Sequence, residues 1–273
     1  MTPLPKMRDT TGTGRNSLRP LVQIRGYLAV AFVGCSLLVG DVLERTVVVA
    51  AARLFPGARS RILSRWLQTL RATVLDVGSM AIGGAEVEPT PRLPARPGVL
   101  VIMNHQSLLD IPLIIRTMKP DYPRIVTRRR FRRGIPLISH ITRLYQYPEV
   151  DPRATVKRHL DGLRDAAENG ETPLVIFPEG TRSRMGELGR WKRTGLRVIL
   201  AARSWEVYVV VVDGLWQSGR LADFVKNISR TRARMTYVGP FASPPPGEDV
   251  EPFIDDMQVR MAQALAELRS APT

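Results

Sequence analysis

Cysteine is all but missing from the chain. Cys35 stands alone among 273 residues, so no disulfide closes within the chain. Histidine is scarce too: His105, His140 and His159 are the three present. With no Cys–His grouping, a structural zinc site has no ligand set to draw on. No dinucleotide or P-loop glycine pattern occurs, and no internal repeat. An uninterrupted apolar run long enough to cross a bilayer is also lacking. The apolar run 27–40, uncharged throughout, has 14 residues against the ~20 a spanning helix needs. Negative charge is in deficit, with 25 Asp+Glu against 40 Lys+Arg for a net charge of +15. Such a surface seeks polyanions: nucleic acid, anionic lipid or phosphate-bearing substrates.

What is present is organised around Val99 to Pro112, V-L-V-I-M-N-H-Q-S-L-L-D-I-P. The β-branched apolar run Val99–Met103 predicts a strand buried on both faces. It breaks into Asn104, His105, Gln106 and Ser107. Asp110 reads as a helix N-cap, with Pro112 in the first turn. His105 therefore sits just past a strand's carboxyl end, where α/β folds place ligands. A histidine can take a proton near neutral pH, and a carboxylate on its other nitrogen fixes the tautomer. On spacing alone, a loop histidine beside a capping aspartate is as good a reading. Leu174 to Ser183, L-V-I-F-P-E-G-T-R-S, repeats the form of strand then polar turn. Arg182 in that turn offers a planar fork matched to phosphate oxygens; an ion pair with Glu179 is the plainer alternative.

The two stretches together resemble the glycerolipid acyltransferases, the 1-acylglycerol-3-phosphate acyltransferases and their relatives. Asn104, His105 and Asp110 match that family's N-H-x-x-x-x-D block, and Phe177–Ser183 match F-P-E-G-T-R-S without a gap. The weaker blocks match in part. In Arg128–Ser139, Pro136 fits, but Arg132 and Ser139 replace the usual Leu and Gly. Trp191–Gly195 carries one residue more than the family's aromatic-Lys-x-Gly segment, and Val207–Val212 lacks a usual proline. The resemblance covers residues 96–240. It implies acyl transfer from acyl-CoA or acyl-carrier protein to the free hydroxyl of a lysophospholipid, giving phosphatidic acid if the acceptor is 1-acylglycerol-3-phosphate. It implies that His105 is the general base and Asp110 its orienting partner. Glu179, Gly180, Thr181 and Arg182 would bind the acceptor, with Arg130 and Lys192 helping by weaker matches. It implies no cofactor and no metal. Oxyanion donors would be backbone N–H groups at the start of the helix after His105. A lyso-aminolipid acceptor is one alternative, and a non-enzymatic basic protein binding membrane or RNA is another. Against RNA, the run Arg128–Arg133 holds one aromatic, Phe131, and lacks the interleaving of single-strand binding surfaces. It reads as a patch for anionic lipid or the donor's phosphates, or as a solvated helix start, and no nucleic-acid partner is expected.

Alternation of apolar runs and helical periodicities predicts a three-layer α/β/α domain over 81–273 with a largely parallel central sheet, preceded by N-terminal membrane-associated helices. Residues 1–20 read as a disordered basic tail. Residues 21–80 read as a membrane-associated helical segment. Asp41, Glu44 and Arg45 interrupt its apolar run, so two helices in a shallow hairpin are favoured over one spanning helix, and an ordinary core helix is the third option. Ala58–Val77 has helical spacing with Arg59, Arg61, Arg65 and Arg71 among its apolar positions, either a basic amphipathic helix or a core-packed stripe. The expected location is the cytoplasmic face of a membrane.

Overall fold

A computed structural model of the chain describes residues 19–151 and 156–272. The basic tail expected over 1–20 falls almost wholly outside them.

Strands β1 (Glu86–Val87), β3 (Val99–Met103), β5 (Arg124–Ile125), β8 (Leu174–Ile176), β9 (Glu206–Asp213) and β10 (Arg232–Ala242) form a six-stranded sheet of order β1-β10-β9-β3-β8-β5. Every neighbouring pair is parallel except β10–β9. Two parallel two-stranded ladders flank it, β2 (Leu93–Ala95) with β4 (Met118–Pro120), and β6 (Thr127–Arg128) with β7 (Glu149–Val150).

The unbroken apolar run of β3 follows from burial on both sides. Val99, Val101 and Met103 enter one core with Val175, Tyr208, Val210 and Val212, while Leu100 and Ile102 enter a second with Leu174, Ile176, Val207 and Val209. Period-two alternation thus divides each strand between two cores. The second core is covered by α6 (Val156–Glu168), α7 (Arg193–Ala202) and α9 (Glu251–Ser270). The first is covered by α4 (Asp110–Thr117), α5 (Ile138–Leu144) and α3 (Arg59–Ala72). The three-layer expectation holds.

The N-terminal region differs from the expected pair of short helices. α1 (Arg19–Leu43) does not break at Asp41 or Glu44; it runs through a wide π turn, Glu44–Val48, into α2 (Val49–Leu54). The chain reverses at Pro56–Ala58, and α3 returns and continues as a second π segment, Thr73–Ile82. The chain folds back only after 54, not within 21–54 as expected, and the two arms are 19–54 and 59–82. Of the charges that would interrupt a membrane helix, Glu44 and Asp41 turn to the domain instead, while Arg45 stays exposed. Fully buried Glu44 accepts from Trp66 Nε1 (2.7 Å) and pairs with His140 Nδ1 at 2.6 Å. Asp41 accepts from the Leu137 N–H at 2.8 Å and from Arg45 at 3.0 Å. Outward, Leu28, Leu38, Val39, Val42 and Val47 are each more than half exposed. In α3, Leu63 and Leu67 are in the core and Arg59, Arg61 and Arg65 face solvent, which is the core-packed stripe with a charged outer face.

α4 ends at Thr117 because Met118 starts β4. β5 and β6 are separate two-residue strands on either side of Val126. α6 is described from Val156; residues 152–155 lie outside the described residues.

Candidate active site

The site forms where β3 and β8 end side by side. Their register pairs Ile102 with Ile176, so the next residues of each, 103–110 and 177–183, face one another. His105 Nδ1 lies 2.7 Å from Asp110 Oδ2. The bend between them is imposed by the carboxylate: the same oxygen accepts from the N–H groups of Gln106 (2.6 Å) and Ser107 (2.8 Å). Asp110 is therefore not the cap of α4 but its first residue, with no cap bond from its side chain, and its carboxylate closes the loop before the helix. It is fully buried, and the side chain of His105 is 16% exposed. The imidazole packs at 4.4 Å on the ring of Phe177.

Three polar residues of the loop fasten it to β9 and beyond. Asn104 donates Nδ2 to Val212 O (2.9 Å) and accepts from Val212 N (2.8 Å), so its amide extends the strand ladder. Gln106 accepts from Leu215 N and Trp216 N and donates to Asp213 at 3.2 Å. Ser107 Oγ donates to Ser218 O. Burial would raise the Asp213 carboxyl, but the bonds from Arg269 and Gln106 outweigh it and hold it below the usual carboxylate range. Sequence reasoning singled out neither Gln106 nor Asp213. A polar residue kept between an apolar strand and an apolar helix start is the one signal that marks Gln106.

Glu179 is buried and makes no ion pair with Arg182 among the described residues. Its oxygens accept from His105 N (3.0 Å) and Gly189 N (2.8 Å). Burial pushes its carboxyl above the usual range, against the pull of those two N–H groups. Glu179 thus clamps the two loops together, and Ser183 N adds a bond to His105 O at 2.7 Å. Gly180 has φ +62°, and a Cβ there would stand 3.2 Å from Lys192 Cδ. A side chain would be strained and would displace that lysine. Arg182 donates to Gly219 O, and Thr181 is exposed.

At the Gly180 turn stand Lys192 and Arg128, which donates to Gly180 O and which the sequence reading took only as part of the Arg128–Arg133 patch; Arg182 is two residues further along the same loop. Arg130, the residue favoured from sequence, lies with its guanidinium 4.8 Å over the Phe131 ring and makes no bond to the turn among the described residues. The backbone donors expected to serve an oxyanion, at the start of α4, bond within the chain: Asp110 N–H to Ser107 O (3.3 Å), Ile111 N–H to Leu108 O (3.4 Å) and Leu113 N–H to Leu109 O (3.1 Å).

Residues 84–213 match the acyltransferase family model. No curated protein matches the chain. Among solved structures, the chain is similar to the crystal structure of the 1-acyl-sn-glycerophosphate (LPA) acyltransferase PlsC from Thermotoga maritima, with a TM-score of 0.63 and 19% identity over 95% of this chain and 99% of that one. That likeness bears on the fold, including the helices that lie outside the matched segment. The matched segment begins just before β1 and ends with β9, so it contains both loops of the site, and over those residues the chain is similar to the acyltransferases.

Proposed function

We propose that the protein transfers an acyl group from a thioester donor, acyl-CoA or acyl-carrier protein, to the free hydroxyl of a lysophospholipid, with 1-acylglycerol-3-phosphate as the acceptor. The observation that carries the reading is the His105–Asp110 pair at the end of β3, set beside a loop with three cations.

The steps follow from the geometry. Asp110 holds His105 by Nδ1, which leaves Nε2 as the base. Nε2 takes the proton of the acceptor hydroxyl as the oxygen attacks the thioester carbonyl. The tetrahedral intermediate collapses, the C–S bond breaks, and the imidazolium proton passes to the departing thiolate. Asp110 stabilises the imidazolium and itself stays ionised. No serine or cysteine nucleophile takes part. Arg128, Arg182 and Lys192 suit a phosphate on the acceptor, because planar guanidinium forks match phosphate oxygens. An acceptor of this kind lives in a bilayer. The exposed apolar face of α1 and the arginines of α3 fit attachment to an anionic membrane surface, on the cytoplasmic side where thioester donors are found.

A substrate screen tests it. Purified protein is given labelled acyl-CoA or acyl-carrier protein with lysophosphatidate, other lysophospholipids and lyso-aminolipids. Phosphatidate is the expected product. Thioester consumption with none of these acceptors would overturn the reading, and a preference for the lyso-aminolipid would remove the role given to the three cations.

A further inference from the structure

The lining of one cavity is unexplained by the site above. It has a volume of about 480 Å³ and lies along the sheet edge, between β5, the ladder β6–β7, α5 and α6. Arg124, Arg129, Arg132 and Arg143 converge on it from three separate elements. Among the described residues, Arg124 is anchored to Gln146 (3.0 Å), Arg143 to Arg132 O (2.9 Å), Arg132 to Glu149 (2.9 Å) and Arg129 to Asp151 (3.8 Å). A guanidinium has five N–H donors, so these anchors fix the heads and leave donors over. Two polar atoms of residues that line it, Tyr147 Oη and Arg124 Nε, are buried and have no partner among the described residues. Buried polar atoms almost always find one, which marks the lining as made for something polar.

We propose that this cavity binds the nucleoside-phosphate head of acyl-CoA; the inference rests on the acyl-transfer reading and assigns its donor. Three observations select that ligand. The volume lies in the range of small-molecule sites, roughly 300–1,000 Å³. The lining is mixed: Glu149, Asp151 and Asp165 stand among the arginines, which suits a ligand that joins phosphates to hydroxyl and amino donors better than bare phosphate. The place is right as well. β5 is two strands from β3, so the rim stands about 10 Å to the side of the strand that ends at His105. Arg128 bonds to the Gly180 turn while Arg129, the next residue, lines the cavity. Each of the two substrates carries phosphate, and the chain presents two separate cationic clusters, one on either side of this arginine pair.

The test uses the full-length protein in detergent, titrated with CoA and with adenosine 3′,5′-bisphosphate. Arg143→Ala should weaken CoA binding by about tenfold, the scale of one lost hydrogen bond to a charged group, and raise KM for palmitoyl-CoA to match. Tyr147→Phe removes a hydroxyl that has no partner among the described residues, so its melting temperature should not fall, yet CoA binding should weaken several-fold. A role confined to structure would not give that combination. Transfer from S-palmitoyl-pantetheine, which lacks the nucleotide, should be the same in wild type and both variants, as should KM for the acceptor. Unchanged CoA affinity in folded variants would overturn the assignment. So would transfer that proceeds from acyl-carrier protein in a protein that does not bind CoA, or variants that lose binding to phosphatidylglycerol vesicles but not to CoA. Each of those results leaves acyl transfer standing. Failure to transfer from any donor would overturn acyl transfer instead, and the CoA titration would still decide the cavity.

Discussion

His105 gives one ring nitrogen to Asp110 and keeps the other for chemistry, so both members of the pair are open to single substitutions with distinct outcomes. His105→Ala should fold and lose about 100-fold or more in turnover, the scale of general-base catalysis. Asp110→Asn should be as severe for a different reason. Oδ2 accepts three hydrogen bonds, and an amide oxygen can take its place only as a neutral acceptor that no longer stabilises the imidazolium, with its NH2 buried where Oδ1 has no partner among the described residues. Melting curves showing both variants folded, with near-native turnover in either, would sink the mechanism. Arg128 and Arg130 make a sharper pair. Arg128→Ala should raise KM for lysophosphatidate well above the effect on the donor, with Lys restoring it only in part because an ammonium lacks the fork. Arg130→Ala should change neither KM, since its guanidinium sits over Phe131. Steady-state kinetics of the two variants side by side decide between them. The difference between these neighbours also explains what residue-level reading recovers. The His–Asp pair spans five residues and is closed by local backbone bonds, so it is legible in sequence. The Glu179–His105 bond joins residues 74 apart, and the phase of the 3-10 turn at Arg129–Arg132 decides which arginine reaches Gly180. Nothing local encodes either.

Among the elements, strands buried on both faces were the easiest to place, because their apolar runs contain no competing periodicity. Elements fixed by tertiary partners were not. α5 is seven residues long and is entered through Leu137 at φ +59°, a conformation held where its N–H meets Asp41 of α1. The π turn at Glu44–Val48 has no sequence signature; it accompanies a carboxylate that must face Trp66 and His140. The closing helix α9 carries a prediction of its own. Its first residue, Glu251, pairs with Arg197 and Arg193 of α7, and those cations, Arg197 above all, hold its carboxyl down to about 2 from the ordinary 4.5. A lowered carboxyl binds protons less readily in the folded state. Its contribution is therefore complete above pH 4.5 and is lost as pH falls from 4.5 toward 2. Glu251→Gln should flatten the acid limb of stability in that window and leave neutral pH little changed, because the pair is exposed and screened by salt. Acid titration of the melting temperature, repeated in high salt, checks it; an identical acid limb in the variant would remove the clasp from the account.

For the whole molecule, the question is how a chain of net charge +15 with an exposed apolar helix meets a membrane. The helix Leu21–Leu54 is long and apolar enough to span by length and composition. Its polar residues, however, are committed to the domain: Asp41 to Leu137, Glu44 to Trp66 and His140, and Arg25 to the carbonyls of Ile82 and Ala81. Docked in this way, α1 offers one apolar side outward. The full-length protein should stay with membranes in high salt and require detergent for release. Leu38→Gln with Val42→Gln should leave the fold intact, since both side chains are exposed. Each substitution removes about 1.5–3 kcal/mol of apolar burial, so the pair should weaken partition into neutral vesicles by ~100-fold or more. Sedimentation of the variant as complete as that of the parent would move the contact to the arginines, where salt would release it.

The amide of Asn104 has a consequence for slow motions. The Val212 N–H is held by a side chain and not by a neighbouring strand's backbone, although it lies in the central part of the sheet. Its exchange with deuterium is therefore gated by rotation of Asn104, which must carry the His105 loop with it. Val211 and Val210, one and two residues earlier on the same strand, report global unfolding by contrast. The ratio of exchange rates at 212 and 210 becomes a clock for the opening of the loop, readable by mass spectrometry without substrate. A bound acceptor should slow the first and leave the second where it was.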